Sequence, residues 1–204
     1  VSLDADRLVT ALARLERNLV DQGWPSVRGL QPGLSESDVR ERLVDAGFEP
    51  PDELIALFGW HDGYVQPDDR LPSSKGGWIT PRLGVLSIER ALHRYYGVWT
   101  ALEEIFEEDE VEARWFPVFA GPIGTVVINC GEDAARGSVA VFEPVEGLVG
   151  GYRPSSLAEP VEWWANWLES GDYYWGRNIN QTPVGMTRLT AEQLDADQLS
   201  SGLW

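Results

Sequence analysis

The chain has 204 residues, 33 acidic against 16 basic side chains, a formal net charge of −17 and one cysteine, Cys130. That charge repels nucleic acid and anionic membranes and attracts basic partners, and a lone cysteine excludes a disulfide framework within the chain. No apolar run reaches the ~20 residues of a spanning helix and no basic-then-apolar leader opens the sequence. A cytoplasmic protein with neither nucleic acid nor membrane as partner is expected.

Leu8, Leu12, Leu15 and Leu19 recur at helical spacing between Asp4 and Asp21, which predicts an amphipathic helix closed by Gly23-Trp24-Pro25. Ser35 before Val39 and Leu43 predicts a capped second helix that ends at Gly47. The stretch Glu49 to Gly63 comes next. Pro51 suits a first helical turn, Asp52 and Glu53 suit the positive end of the dipole, and Leu54, Ile55, Leu57 and Phe58 must be mostly buried. Asp62-Gly63 then stops the helix.

Residues 64 to 82 read as a polar loop pinned by Trp78 and Ile79. A long helix starts near Ser87, with Ile88, Leu92, Tyr95, Trp99, Leu102 and Phe106 at three- and four-residue steps and Gly97 as a weak point. Tyr95, Tyr96 and Trp99 are expected to be core aromatics.

The periodicity then changes. Trp115 to Phe119, Gly124 to Asn129, Ser138 to Phe142 and Leu148 to Tyr152 read as four strands joined by short turns, an antiparallel meander. Ser155 or Ser156 caps a closing helix with Leu157, Val161, Trp164 and Leu168 on one face. Trp163 or Trp167 falls outside that face and is expected to be covered by the tail, the alternative being exposure to a partner. Thr190 to Leu194 could start one short helix. The order of elements is α+β: an antiparallel sheet of four or more strands flanked by helices.

Pro50-Pro51-Asp52-Glu53-Leu54, an apolar turn and then Trp60-His61-Asp62-Gly63 resembles the signature helix of the SUKH superfamily, the group named after yeast regulators of cell-wall glucan synthesis. The aromatic-Pro step at Phe116-Pro117, Gly124 before the second strand and the aromatic closing helix extend the resemblance over about residues 30 to 170. The loop at 64 to 82 and the tail beyond 171 lie outside it. The resemblance implies one α+β domain over 1–170 and an extension over 171–204. It also implies a function, because most bacterial members resemble immunity proteins that neutralise secreted or contact-delivered toxins.

Signals for catalysis are thin. His61 reads as a capping side chain at a helix C-terminus rather than as a general base paired with its neighbour Asp62. His93 reads as a surface residue, and Cys130 as a buried small hydrophobe. No His-Glu-x-x-His or paired-cysteine spacing exists, and Gly121-Pro122-Ile123-Gly124-Thr125 lacks the lysine of a phosphate loop and reads as a strand-opening turn. No catalytic residue, cofactor or metal is expected.

The strongest remaining feature is the acidic run Glu103, Glu104, Glu107, Glu108, Asp109, Glu110 and Glu112. Like-charged i,i+4 pairs at the C-terminal end of a helix cost a few tenths of a kcal/mol each and oppose the dipole. Two readings stand: a solvated face, or a docking patch for a basic toxin domain such as a nuclease, steered by charge. The resemblance favours docking, with Trp60, His61 and Asp62 as further contacts. The expected function is therefore a non-enzymatic immunity protein. The alternatives are a SUKH-like interaction module with a cellular regulatory partner, and a small-molecule enzyme, which a deep pocket with converged polar groups would favour.

Overall fold

The computed structural model describes residues 2–65, 79–80, 83–103, 115–121, 124–132, 135–143, 147–149, 153–177 and 183–187. Helix α1 spans Leu3–Asp21, and the Ser2 hydroxyl accepts the Ala5 N–H at 3.2 Å. Its leucine stripe is wholly buried, as the spacing predicts. A 3-10 turn at Pro25–Gly29 follows. Helix α2 spans Glu36–Asp45, with Ser35 Oγ accepting the Asp38 N–H at 3.2 Å. Helix α3 spans Asp52–Trp60; Pro51 holds the cap position just before it rather than the first turn.

The fold is α+β. Strands β1 (Gly84–Val85), β2 (Trp115–Gly121), β3 (Gly124–Asn129), β4 (Val139–Glu143) and β5 (Gly147–Val149) pair antiparallel in sequence order. Three of the four expected strands keep their places, and the fourth is present as β5, whose expected continuation over 150–152 lies outside the described residues. The edge strand β1 is not foreseen by the sequence pattern: at two residues it carries no alternation to read. A register shift between Pro117 and Phe119 marks a bulge in β2, where proline can give no ladder hydrogen bond.

The cross-strand rows Phe116–Ile128–Val139 and Phe119–Val126–Val141 belong to the main core. Val127, Ala140 and Phe142 alternate onto the opposite face, and they are buried as well. That is why β2 and β3 read as continuous apolar runs rather than as strict alternation.

Helix α4 spans Ile88–Glu103 and packs on β2. Helix α5 spans Ala158–Ser170 and ends at Gly171 with φ 77°. It lies along α1, clamped by Arg7–Glu162 at 3.0 Å and Arg14–Glu169 at 2.6 Å. Trp164 meets Phe119 edge-on at 5.2 Å, joining the helices to the sheet. A hairpin of β6 (Tyr173–Arg177) and β7 (Pro183–Thr187) follows, where the sequence pattern suggests only a loosely apolar tail. The expected helix at 190–194 and most of the 64–82 loop lie outside the described residues. Among the described residues, no helix is long and apolar enough to cross a membrane.

Candidate functional site

Helix α3 packs against α1 and α2. In its last turn, Phe58 meets Phe116 of β2 edge-on at 6.2 Å. At its C-terminal end the residues of the distinctive turn reach three other parts of the chain. Trp60 Nε1–H donates to Glu16 Oε2 of α1 at 2.8 Å. His61 Nδ1 lies 2.6 Å from the Gln31 carbonyl oxygen. A carbonyl only accepts, so this nitrogen carries the proton. His61 Nε2 lies 3.4 Å from Glu16 Oε1, within ion-pair range but off hydrogen-bond geometry.

Asp62 Oδ1 accepts the Ile88 N–H at 2.8 Å and so caps the first turn of α4. Gly63 has φ 78°, and a Cβ there would overlap the backbone of Ser87. Only glycine fits that approach in the left-handed conformation. The Gly63 carbonyl in turn accepts the Gln31 N–H at 2.9 Å. The turn is thus a junction that ties α1, the 29–34 segment and the start of α4 to α3.

The N-terminal end of α3 makes a fourth tie. Glu53 is only 5% exposed, and its Oε1 accepts the Ala158 N–H at 3.2 Å. Leu157, not Ser155 or Ser156, occupies the N-cap of α5 and offers no side-chain bond there, since leucine has no acceptor. Ser156 Oγ accepts the same Ala158 N–H at 3.1 Å, and Glu53 completes the cap from another helix. Burial pushes the Glu53 carboxyl up to about 7, although backbone hydrogen bonds from Ala158 and Leu157 pull the other way. A carboxyl of that kind exchanges a proton near neutral pH. Beside it lies an open cleft of about 400 Å³ bordered by Asp4, Arg40, Glu49, Asp52 and Arg136. Both cleft arginines already have acceptors: Arg40 bonds Glu36 at 2.8 Å, and Arg136 bonds the Glu49 carbonyl at 3.0 Å.

The structure therefore brings Trp60, His61 and Asp62 together, half-buried and bonded inward. The His61 side chain serves the 29–34 segment and α1 rather than the carbonyls of its own helix. Among the described residues the carboxylate that faces it is Glu16, not Asp62. Glu103 is the last residue of α4, and Glu104, Glu107, Glu108, Asp109, Glu110 and Glu112 lie outside the described residues. His93 is exposed and Cys130 buried, as the sequence predicts.

Sequence reasoning misses Glu16, Gln31 and Glu53. Glu16 gives one signal, an acid on the helix of the leucine stripe. Glu53 gives only its place in a first helical turn, where the dipole already explains an acid. Arg94 is missed as well: its Nε–H donates to the buried Thr125 hydroxyl at 2.8 Å, and burial lowers its pKa. Among the described residues no group of three His, Cys, Asp or Glu could hold a metal ion. Comparison with protein-family models gives no match, and comparison with curated proteins gives none either.

Proposed function

We propose that this chain is a non-enzymatic immunity protein of SUKH type, which neutralises a basic bacterial toxin domain by binding it. The observation that carries the reading is the formal net charge of −17, concentrated in sequence at Glu103 to Glu112. An excess of that size steers a cationic surface toward the chain and raises the association rate. The turn at Trp60, His61 and Asp62 then acts as the frame, because its polar groups are bonded to α1, Gln31 and α4. The acidic run makes the contact.

The reading expects the gene immediately upstream to encode a protein with a C-terminal toxin domain, and the test is co-expression of that domain with the chain; an upstream gene without one would overturn the reading. The chain restores growth. Reversing Glu103, Glu104, Glu107 and Glu108 to lysine slows association roughly tenfold or more at low salt and removes protection. The thermal midpoint stays level or rises, as like-charge strain is relieved. Growth inhibition that persists beside the unaltered chain would overturn the reading.

A further inference from the structure

We infer that the Glu53 carboxyl is a proton-operated latch: protonated, it fixes the first turn of α5 to the start of α3, and ionised, it lets that turn open. This goes beyond the immunity reading and does not depend on it.

The first support is how the start of α5 is held. Two fixed points bracket it. Upstream, the Val139 N–H of β4 donates to the Pro154 carbonyl at 2.8 Å. Downstream, Glu162 pairs with Arg7 of α1 at 3.0 Å. Between them Glu53 reaches over from α3 and accepts the Ala158 N–H at 3.2 Å. Ser156 shares that N–H at 3.1 Å, and the Ser155 hydroxyl donates to Glu159 at 2.7 Å. The serine bonds are local and travel with the turn when it moves. The Glu53 bond joins the turn to another helix, so moving the turn breaks it.

The second support is access. Glu53 is only 5% exposed, yet it lines the wall of the open cleft of about 400 Å³. A proton can therefore reach or leave the carboxyl while the fold stays closed. Water in the cleft can also take up the carboxylate once the turn moves aside.

The third support is the balance of charge, which sets the direction. Burial and the like charge of Asp4 on α1 oppose ionisation of Glu53. The N–H groups of Ala158 and Leu157 and the Ser156 hydroxyl favour it, but burial outweighs them and the carboxyl is pushed up to about 7. The other charges around the cleft are Arg40 of α2, Glu49 and Asp52 at the start of α3, and Arg136 ahead of β4. Arg40 bonds Glu36 and lies 3.7 Å from Asp52, and Arg136 bonds the Glu49 carbonyl. Both cations are thus engaged elsewhere. An ionised Glu53 is a buried anion near a second anion, and exposing it to water relieves that cost. The turn is held most firmly below about 4.5 and loosens as the pH rises to about 7.

The test is amide hydrogen exchange of the full chain, residue by residue, with each rate divided by its unfolded-chain value at the same pH. Protection of Ala158 falls about seventyfold between pH ~5 and pH ~8. It barely responds to low urea, because a local opening exposes little surface. The amides of β3 keep the higher protection of global unfolding and lose it as urea is added. In Glu53→Gln, protection of Ala158 stays level with pH. If Ala158 follows β3 in urea, α5 opens only with the whole chain and the inference falls. It falls equally if Ala158 shows no pH dependence in the unaltered chain, or keeps that dependence in Glu53→Gln. Should Glu53→Gln fail to fold, the carbon resonance of the Glu53 carboxyl decides. It titrates near 7, where the fall in Ala158 protection levels off, and a midpoint at the ordinary carboxylate value overturns the latch.

Discussion

At the end of α3, Trp60, His61 and Asp62 each send a polar atom to a partner inside the molecule. On α4, Tyr96 closes a series of aromatic contacts with half of its surface in solvent. The turn after α3 is the most distinctive stretch of the sequence, whereas the α4 face has the pattern of ordinary helix. The difference teaches that the polar groups of a distinctive sequence turn can serve the architecture itself. Four adjacent residues that must satisfy three other parts of the chain tolerate little change, because each buried polar group left unpaired costs about 1–3 kcal/mol.

The comparison breaks first at Gly63. Gly63→Ala places a Cβ against the Ser87 backbone in a left-handed conformation, so a loss of more than about 3 kcal/mol is expected in urea unfolding. A loss below about 1 kcal/mol would mean that the turn yields and is no junction.

Glu53 sharpens the contrast through pH. Its carboxyl is raised from 4.5 to about 7 in the folded protein. Between those values the folded state keeps a proton that the unfolded chain has released. Stability from this group is therefore greatest below about 4.5 and falls as the pH rises to about 7. Glu53→Gln keeps an acceptor for the Ala158 N–H and cannot ionise. Its stability relative to the unaltered chain should improve by about 3 kcal/mol between pH ~5 and pH ~8. A constant difference across that range would show that Glu53 does not titrate there.

The smallest of these effects is at Asp62. Asp62→Ala removes the cap on α4 and should cost about 1 kcal/mol, with loss of amide-exchange protection at Ile88. Under the immunity reading, affinity for a toxin domain should stay unchanged, because Asp62 is bonded inward; a loss of affinity of about tenfold or more would put the turn in the interface.

Much of this fold is legible because local signals agree. The leucine spacing of α1, the Ser35 cap and the apolar core of α3 each sit where their own chemistry requires. The β-branched run of β3 does so too. What cannot be read is non-local. Nothing near Leu157 announces that its helix is capped from Glu53, and nothing near Trp60 names Glu16. The β6–β7 hairpin escapes because Tyr173-Tyr174-Trp175 fits equally well as cover for Trp163 or Trp167, although aromatics of that kind also favour strands. Tyr96 escapes because helical spacing alone cannot separate a core ring from one that ends a ladder at the surface.

The cap on α5 has a consequence for how the chain is made. Its acceptor on Glu53 lies 105 residues earlier, and the Arg7–Glu162 and Arg14–Glu169 clamps each span 155 residues. A ribosome delivers α1 and α3 well before their closing partner. Until residues 158–170 emerge, the side of α1 that packs on α5 has no cover, and the Glu53 carboxyl has no helix to cap. Helix α5 is a clasp, and a nascent chain that stalls before it presents that uncovered side of α1 to chaperones.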